Sequence, residues 1–296
     1  MAALLTQVRT SVSIHAHRRI RGLLEGEYAA VTSGRSLDFN DLREYVRGDD
    51  AQDIDWKASA RSHAPLVRRY VAVRQHSVVL LVCTGRSMAA LNDVGTVKRD
   101  LAVLVAGVVG WLAVKHGDKV ATVHGDAVTQ RVSAGRTSEV HLERCLGEIH
   151  AATRADGPRT DLAALLRHTI HTVRRRSILV VVHDEPELTD AVLEALRRLA
   201  AQHEVLVVTI GDLDPTSAVL GGRQVVDVDT GVRLSPGPLS DATVRTEYAA
   251  IVREAMHRTT SSLDRLGIVH ERVHDDDSAI TAVFRLLERH RHARRR

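Results

Sequence analysis

A short apolar run, Ser-Val-Val-Leu-Leu-Val-Cys, occupies residues 77–83 and is followed by Thr-Gly-Arg-Ser-Met. A run of this length, rich in β-branched residues and soon followed by a glycine, is typical of a strand that is buried on both faces and leads through a turn into a helix. Similar runs at 178–182 and 205–210 alternate with segments of helical periodicity. The alternation predicts an α/β fold with a doubly wound, mostly parallel sheet. Ligand sites of such sheets lie beyond the carboxyl ends of the strands.

Composition divides the chain into three parts, which we predict to be an N-terminal extension (residues 1–73), a sheet domain (74–290) and a basic tail (291–296). In the extension, apolar residues recur at every fourth position from Leu4 to Leu24 and predict a helix. Two placements of this helix are open, because its apolar stripe can pack on the sheet domain or lie on an anionic membrane.

Positive charge is concentrated at the two ends of the chain. The net charge is +4, yet five of the last eight residues are arginines and no acid stands among them. The part between the ends is mildly acidic, and aromatic residues make up only 3% of the chain. We therefore expect neither a basic footprint nor a stacking platform for nucleic acid. Peripheral contact of the basic ends with a membrane stays an alternative.

Cysteine content and hydropathy indicate a reducing, aqueous compartment. Cys83 and Cys145 are the only cysteines, which are too few for a disulfide framework. Polar residues follow Leu4 and Leu5 at once, so the N-terminus lacks the apolar core of a secretory signal. The longest uncharged run, residues 101–114, falls short of the roughly 20 residues that cross a bilayer. The sequence predicts a soluble cytoplasmic protein, and no pattern in it indicates a cofactor.

Hydroxyl and carboxylate groups follow the predicted strands at Ser87, Thr160 and Asp184. Their order resembles the metal-ion-dependent adhesion site of von Willebrand factor A domains, where a first strand is followed by Asp-x-Ser-x-Ser and a later Thr and Asp complete the site. Cys83 stands where the first Asp of that pattern would be, and Gly85 where the first Ser would be. Because Mg²⁺ prefers oxygen ligands, we expect no tight metal site here. The five residues are instead predicted to form a face that binds a partner protein, which we call the strand-end face.

Further motifs make the resemblance more specific. Leu-Arg-Glu-Tyr at 42–45, Gly-Asp-Asp at 48–50 and Ile-Asp-Trp-Lys-Ala-Ser-Ala-Arg at 54–61 resemble the bacterial family catalogued as domain of unknown function 58. Asp-Val-Asp-Thr-Gly at 227–231 also matches, and it lies in a predicted inserted hairpin, residues 221–234. The residues that carry the N-terminal family motif are Arg43, Glu44, Tyr45, Gly48, Asp49, Asp50, Asp55, Trp56, Lys57 and Arg61.

The resemblance implies a fold like that of A domains and a frequent link with MoxR-type AAA+ ATPases, for which the family member serves as adaptor or partner. It implies no enzyme activity. Residues 51–53, Ala-Gln-Asp, depart from the Pro and basic residues usual at these positions, so no charge-dependent role is carried over to them. The resulting prediction is a non-enzymatic protein-binding module that acts through the strand-end face without a tightly bound metal.

A serine hydrolase is one alternative. Ser87 lies in a Gly-x-Ser-x-Ala pattern at a predicted strand-to-helix turn, which is a loose nucleophile elbow. His183 or His270 would then serve as the base, with Asp184 or Asp212 behind it.

Metal chemistry provides two more alternatives. The acid cluster at 49–55, beside Lys57, resembles the Mg²⁺ site of a nuclease. A Zn²⁺ site is a further alternative, because Cys83, His183 and Asp184 stand at the ends of predicted strands. The acids of the cluster are Asp49, Asp50, Asp53 and Asp55.

Overall fold

A computed structural model describes residues 3–19, 42–46, 54–62, 64–68, 75–185, 188–217, 220 and 223–293. In chain order, the strands among these residues are β1 (Leu42–Glu44), β2 (Leu66–Arg68), β3 (Ser77–Cys83), β4 (Lys119–Gly125), β5 (Gln130–Arg136), β6 (Ile178–His183), β7 (Glu204–Ile210), β8 (Val225–Val226), β9 (Arg233–Leu234) and β10 (Val269–Val273).

Six of these strands form one central sheet in the order β5-β4-β3-β6-β7-β10. Every neighbouring pair is parallel except β4 and β5, which are antiparallel and joined by a short turn. The predicted doubly wound, mostly parallel α/β sheet is thereby confirmed. Because β3 and β6 are neighbours although the chain visits β4 and β5 between them, the strand order reverses at this pair.

Nine helices lie among the described residues. They are α1 (Leu4–Arg19), α2 (Trp56–Ser59), α3 (Lys98–Lys115), α4 (Glu139–Ala152), α5 (Leu162–Thr172), α6 (Asp190–Gln202), α7 (Pro236–Leu239), α8 (Ala242–Arg265) and α9 (Asp276–Ala293). A short 3₁₀ turn, Arg86–Ala89, follows β3. Side-chain caps fix several helix starts, since Asp161 accepts a hydrogen bond from the Ala164 amide at 2.8 Å and Asp241 accepts one from the Thr243 amide at 2.7 Å.

The core lies where the central strands meet α3. Strands β3 and β6 are buried along nearly their whole length. The almost wholly apolar segment 94–116 predicts a buried helix, and α3 is indeed buried, with Leu101, Val105 and Ala106 inaccessible to solvent. Complete burial of a valine or leucine side chain contributes about 1.5–3 kcal/mol. The ends of these strands are therefore fixed in space by the best-packed part of the protein.

The chain forms two compact units, one of residues 1–31 with 76–296 and one of residues 32–75. Helix α1 belongs to the larger unit, where it packs against α3, α4 and α9. Its Leu5, Val8 and Val12 are buried, and the Leu4 and Leu5 amides donate to Glu143 at 2.8 and 2.6 Å. The predicted packing of this helix on the sheet domain is confirmed. The predicted extension, residues 1–73, needs correction at its start, because α1 belongs to the larger unit and the smaller unit comprises residues 32–75.

The smaller unit contains β1, α2 and β2. Strands β1 and β2 are antiparallel, with Arg43 opposite Val67. The carboxylate of Asp55 caps α2 by accepting hydrogen bonds from the Lys57 amide at 3.1 Å and the Ala58 amide at 3.0 Å. The predicted strand at 65–73 is described only as far as Arg68.

The predicted inserted hairpin is present as the antiparallel pair β8 and β9. Asp227 closes its turn by accepting hydrogen bonds from the Asp229 and Thr230 amides, both at 2.8 Å. These bonds hold the pKa of the Asp227 carboxyl below its ordinary value. No helix in the described part of the chain is long and apolar enough to span a bilayer.

Candidate functional site

The reversal of strand order between β3 and β6 brings three loops together at the carboxyl end of the sheet. The loop after β3 meets the loop before α5, because the Arg86 amide donates to the Pro158 carbonyl at 2.8 Å. In the same place the hydroxyls of Ser87 and Thr160 share a hydrogen bond of 2.5 Å. Asp184 follows β6 directly and is buried. The loops that carry the residues of the strand-end face therefore do converge at this edge of the sheet.

Gly85 is the residue on which this closeness depends. A Cβ atom at position 85 would collide with the backbone and side chain of Thr160. The serine that the adhesion-site pattern has at this position cannot be introduced without moving the Thr160 loop. The glycine thus replaces an oxygen ligand by a tight contact between two loops.

Cys83 is fully buried at the end of β3. Burial raises the pKa of its thiol well above the ordinary value, and the neighbouring carboxylates of Asp184 and Asp161 raise it further. A raised pKa disfavours the thiolate, which is the form that acts as a nucleophile. Together with Gly85, Ser87 and Thr160, Cys83 forms what we call the neutral half of the site.

Lys98 supplies the cation of the site, and no pattern in the sequence predicts this role. It is the first residue of α3, and its side chain is 1% exposed. Its ammonium group lies 3.3 Å from Asp184 Oδ2 and also forms an ion pair with Asp212 Oδ1. A tethered ammonium is therefore bonded to Asp184, the acid that the adhesion-site pattern assigns to the metal.

The protonation state of Lys98 is set by two opposing effects. Burial alone would lower its pKa, but the carboxylates of Asp184 and Asp212 outweigh this and hold the pKa above its ordinary value. Burial raises the pKa of Asp212, against the lowering effect of Lys98, and Asp184 and Glu185 add to the rise. The lysine thus stays charged, while the acids around it are more numerous than one ammonium group can neutralise.

A second cation lies next to this cluster. Arg272, on β10, forms an ion pair with Glu185 and lies 3.8 Å from Asp93 Oδ2. His274 Nδ1 lies 2.6 Å from the same Asp93 oxygen. We call Lys98, Asp184, Glu185, Asp212 and Arg272 the charged half of the site.

The geometry does not assemble the predicted hydrolase triad. The hydrogen bond described for Ser87 is with Thr160, and the ring nitrogen Nδ1 of His183 contacts the backbone carbonyl of Asp184. Both acids proposed to orient a histidine, Asp184 and Asp212, are bonded to Lys98. The ammonium group competes for the carboxylates that a catalytic base would need.

Neither metal alternative gains support from the described residues. Within them, no group of three or more His, Cys, Asp or Glu side chains is placed to hold a metal ion, so Cys83, His183 and Asp184 do not form the predicted zinc site. The acids at 49, 50 and 53 lie outside the described residues, and Asp55 serves as a helix cap.

The remaining family-motif residues lie in the smaller unit. Trp56 is 69% exposed, and Tyr45 is also exposed. Gly48, Asp49 and Asp50 fall outside the described residues. The other described members are Arg43, Glu44, Lys57 and Arg61.

Among the solved structures that are similar to this chain are the following two. An aerotolerance-related membrane protein from Bacteroides fragilis has 15% sequence identity and a TM-score of 0.45, over 72% of this chain and 99% of that one. A von Willebrand factor type A protein from Catenulispora acidiphila has 9% identity and a TM-score of 0.42, over 74% of this chain and 43% of that one.

Sequence comparison gives a more specific result. An uncharacterized protein of Mycobacterium tuberculosis is 31% identical over 230 residues, which are 75% of this chain and 70% of that protein. An uncharacterized protein of Mycobacterium bovis matches to the same extent. The family model described as protein of unknown function DUF58 matches residues 41–259. This chain therefore belongs to the DUF58 family, as its motifs predicted.

Proposed function

We propose that this chain is a non-enzymatic protein-binding module that contacts its partner through the strand-end face without depending on a divalent cation. The ion pairs of Lys98 with Asp184 and Asp212 carry the proposal. In a metal-dependent adhesion site the ion leaves one coordination position for an acid of the partner. An ammonium group supplies the positive charge here and is buried, so binding through this face rests on shape, hydrogen bonds and the surrounding charges.

The partner we propose is a MoxR-type AAA+ ATPase, for which this chain acts as an adaptor in the cytoplasm. Membership of the DUF58 family supports this choice, through the link with such ATPases that the family resemblance implies. Nucleic acid is not proposed as a partner, since the edge of the sheet that carries the face is rich in carboxylates, among them Asp184, Glu185 and Asp212. Peripheral membrane contact through the basic ends is not needed for this role.

The test is a binding measurement between the full chain and a MoxR-type ATPase of the same organism. Because the ATPase uses Mg²⁺ with its nucleotide, it is immobilised without nucleotide and binding is compared in EDTA and in Mg²⁺. We expect equal affinities under the two conditions. Failure of binding under both conditions would overturn the adaptor role, and binding only in Mg²⁺ would overturn the metal-independent mode.

A pair of matched variants locates the contact. Arg159 is exposed and directly precedes Thr160 of the strand-end face. Arg174 is also exposed, but it precedes the start of β6 and so lies at the opposite end of the strands. Arg159→Trp places a bulky side chain next to the strand-end face and should weaken ATPase binding about tenfold or more. Arg174→Trp should leave the affinity unchanged. If the two variants bind the ATPase with the same affinity, the strand-end face is not the contact surface.

A further inference from the structure

The charged half of the site opens into a cavity that the proposed function does not use. The cavity has a volume of about 850 Å³ and lies between α8 and the strands β6, β7 and β10. Its lining includes His183 and Thr209 from the strands and Tyr248 from α8. Glu185 and Asp212 line it as well and belong to the ion-pair cluster of the charged half.

The lining combines apolar side chains with polar and basic ones, and it is acidic at one end. The apolar side chains are Leu188, Val252, Ala255 and Met256. At the acidic end, burial raises the pKa of the Tyr248 hydroxyl, and the carboxylates of Asp214, Asp212 and Glu185 raise it further. The cavity therefore offers an apolar wall that leads to a group of carboxylates, which fits a side chain with an aliphatic stem and a polar head.

The charge at this end is unbalanced. Carboxylates outnumber cations, since Lys98 and Arg272 are the cations and a larger set of acids surrounds them. Asp212 remains 48% exposed in spite of its bond to Lys98, so it can accept a further donor. The acids are Asp93, Asp184, Glu185, Asp212 and Asp214.

The basic side chains that α8 adds to the lining are at the other end. Arg258 and Arg265 follow Tyr248 along the helix, and a rise of 1.5 Å per residue places them about 15 and 25 Å beyond it along the axis. Arg265 also donates to the Ser262 hydroxyl at 3.0 Å. They do not neutralise the acidic end.

We propose that the acidic end of this cavity binds a lysine or arginine side chain from a basic segment of the partner protein. The aliphatic stem packs against Val252 and Met256, and the cationic head lies between Asp212 and Glu185. The preferred charge is the reverse of that at a metal-dependent adhesion site, where the partner supplies an acid. The inference rests on the proposed function, because it takes this edge of the sheet as the binding surface.

The experiment measures fluorescence anisotropy of a labelled peptide in which two arginines alternate with leucines, titrated with the full chain. A second peptide carries glutamates in place of the arginines. We expect the arginine peptide to bind and its affinity to fall as salt is added, while the glutamate peptide does not bind. Binding of the glutamate peptide as tightly as the arginine peptide overturns the proposal.

Two variants and their controls separate the cavity from general attraction to an acidic surface. Asp212→Asn should weaken binding of the arginine peptide about tenfold or more, and Ala255→Trp should do the same by filling the cavity without a change in charge. Glu194→Gln removes an exposed acid on α6, and Ala250→Trp adds bulk on α8 outside the lining. Both controls should bind the peptide like the wild-type chain, and circular dichroism verifies that all four variants are folded.

Four outcomes are informative. Peptide binding that is insensitive to both Asp212→Asn and Ala255→Trp overturns the cavity as the site. Self-association that competes with the peptide and disappears on removal of residues 291–296 also overturns it, because the occupant would then be a second copy of this chain. If the peptide fails to bind while the ATPase still distinguishes Arg159→Trp from Arg174→Trp, only this inference fails. If the peptide binds and the ATPase does not, the adaptor role fails instead.

Discussion

The neutral half and the charged half of the site lie side by side where the strand order of the sheet reverses, yet one consists of uncharged groups and the other of charged groups. The neutral half is closed by close contact, with Gly85 against Thr160 and a hydrogen bond of 2.5 Å between Ser87 and Thr160. The charged half contains a buried ammonium group and several carboxylates, and it opens into a cavity. The neutral half thus contains no carboxylate, and the charged half contains a cation of the chain itself.

The charged half differs from the predicted resemblance to a metal-dependent adhesion site in the origin of its positive charge. Asp184 remains at the end of β6, but its charge is now balanced by a residue of the same chain. A covalently tethered cation binds without the entropy cost of capturing an ion and cannot be removed by a chelator. The positive charge is therefore always present at the surface that we propose for the partner.

The largest expected effect is that of Lys98→Met. The substitution removes the cation and leaves the buried carboxylate of Asp184 without its partner, so we expect a loss of about 3–5 kcal/mol in the free energy of unfolding. Urea denaturation followed by circular dichroism measures it. Lys115→Met changes an exposed lysine at the other end of the same helix and should stay within about 0.5 kcal/mol. If the two variants lose the same free energy of unfolding, the ion pairs of Lys98 stabilise the protein no more than those of an exposed lysine.

In the neutral half the strongest substitution is Gly85→Ser. It restores the adhesion-site residue but forces its Cβ into Thr160, and overpacking of this kind costs about 1–3 kcal/mol. Gly147→Ser is the control, since a Cβ at position 147 of α4 meets no atom within 4 Å. It should leave stability unchanged or raise it slightly, because serine is the better helix former. A stable Gly85→Ser variant that binds Mg²⁺ would show that the loops can reopen.

Much of the fold could be predicted because it depends on local patterns. The apolar run at 178–182 corresponds to β6 (Ile178–His183), and Asp161 caps α5 as its position before an apolar helix indicates. The predicted helix at 94–116 begins later, at Lys98, because Asn92 Oδ1 accepts hydrogen bonds from the Val94 and Thr96 amides and holds a loop there. Apolar spacing alone does not reveal such a loop.

The charged half was harder to predict because it depends on contacts between distant parts of the chain. Asp212 lies 114 residues after Lys98, and no periodicity connects them. One local signal was available. A lysine in the first turn of an otherwise apolar helix opposes the helix dipole, which favours negative charge at this end. A cation in that position needs nearby carboxylates, and the acids after β6 and β7 were the candidates.

A smaller effect is expected from pH, through the histidine at the end of β6. Burial lowers the pKa of His183, so the folded chain keeps it neutral where the unfolded chain, with a pKa of about 6.5, takes up a proton. Stability is therefore full above this value and falls as the pH decreases towards the folded pKa, by at most about 1.4 kcal/mol per pH unit for one histidine. His183→Asn keeps a hydrogen-bond donor near the position of Nδ1 but cannot titrate.

The free energy of unfolding of the wild-type chain and of His183→Asn is measured at several pH values below about 6.5, which is the ordinary pKa of histidine. Burial also lowers the pKa of His124 and His203, so the variant should retain part of the slope and lose the share of His183. Identical slopes would mean that His183 is accessible to protons in the folded chain. The end of β6 would then be more accessible to solvent than the burial of His183 indicates.

The smallest expected effect is that of Mg²⁺ on the wild-type chain, for which we predict no change in the unfolding midpoint between EDTA and millimolar Mg²⁺. A ligand that binds only the folded state adds about 4 kcal/mol at a thousandfold excess over its dissociation constant, so a site of micromolar affinity would be obvious in a thermal melt. Lys98 already occupies the carboxylates such a site would need. Mg²⁺ would have to displace this buried ammonium group to reach the carboxylate of Asp184. A midpoint that rises with Mg²⁺ in the wild type and not in Asp184→Ala would mean that the lysine yields to the ion, and the two halves would then form one metal site after all.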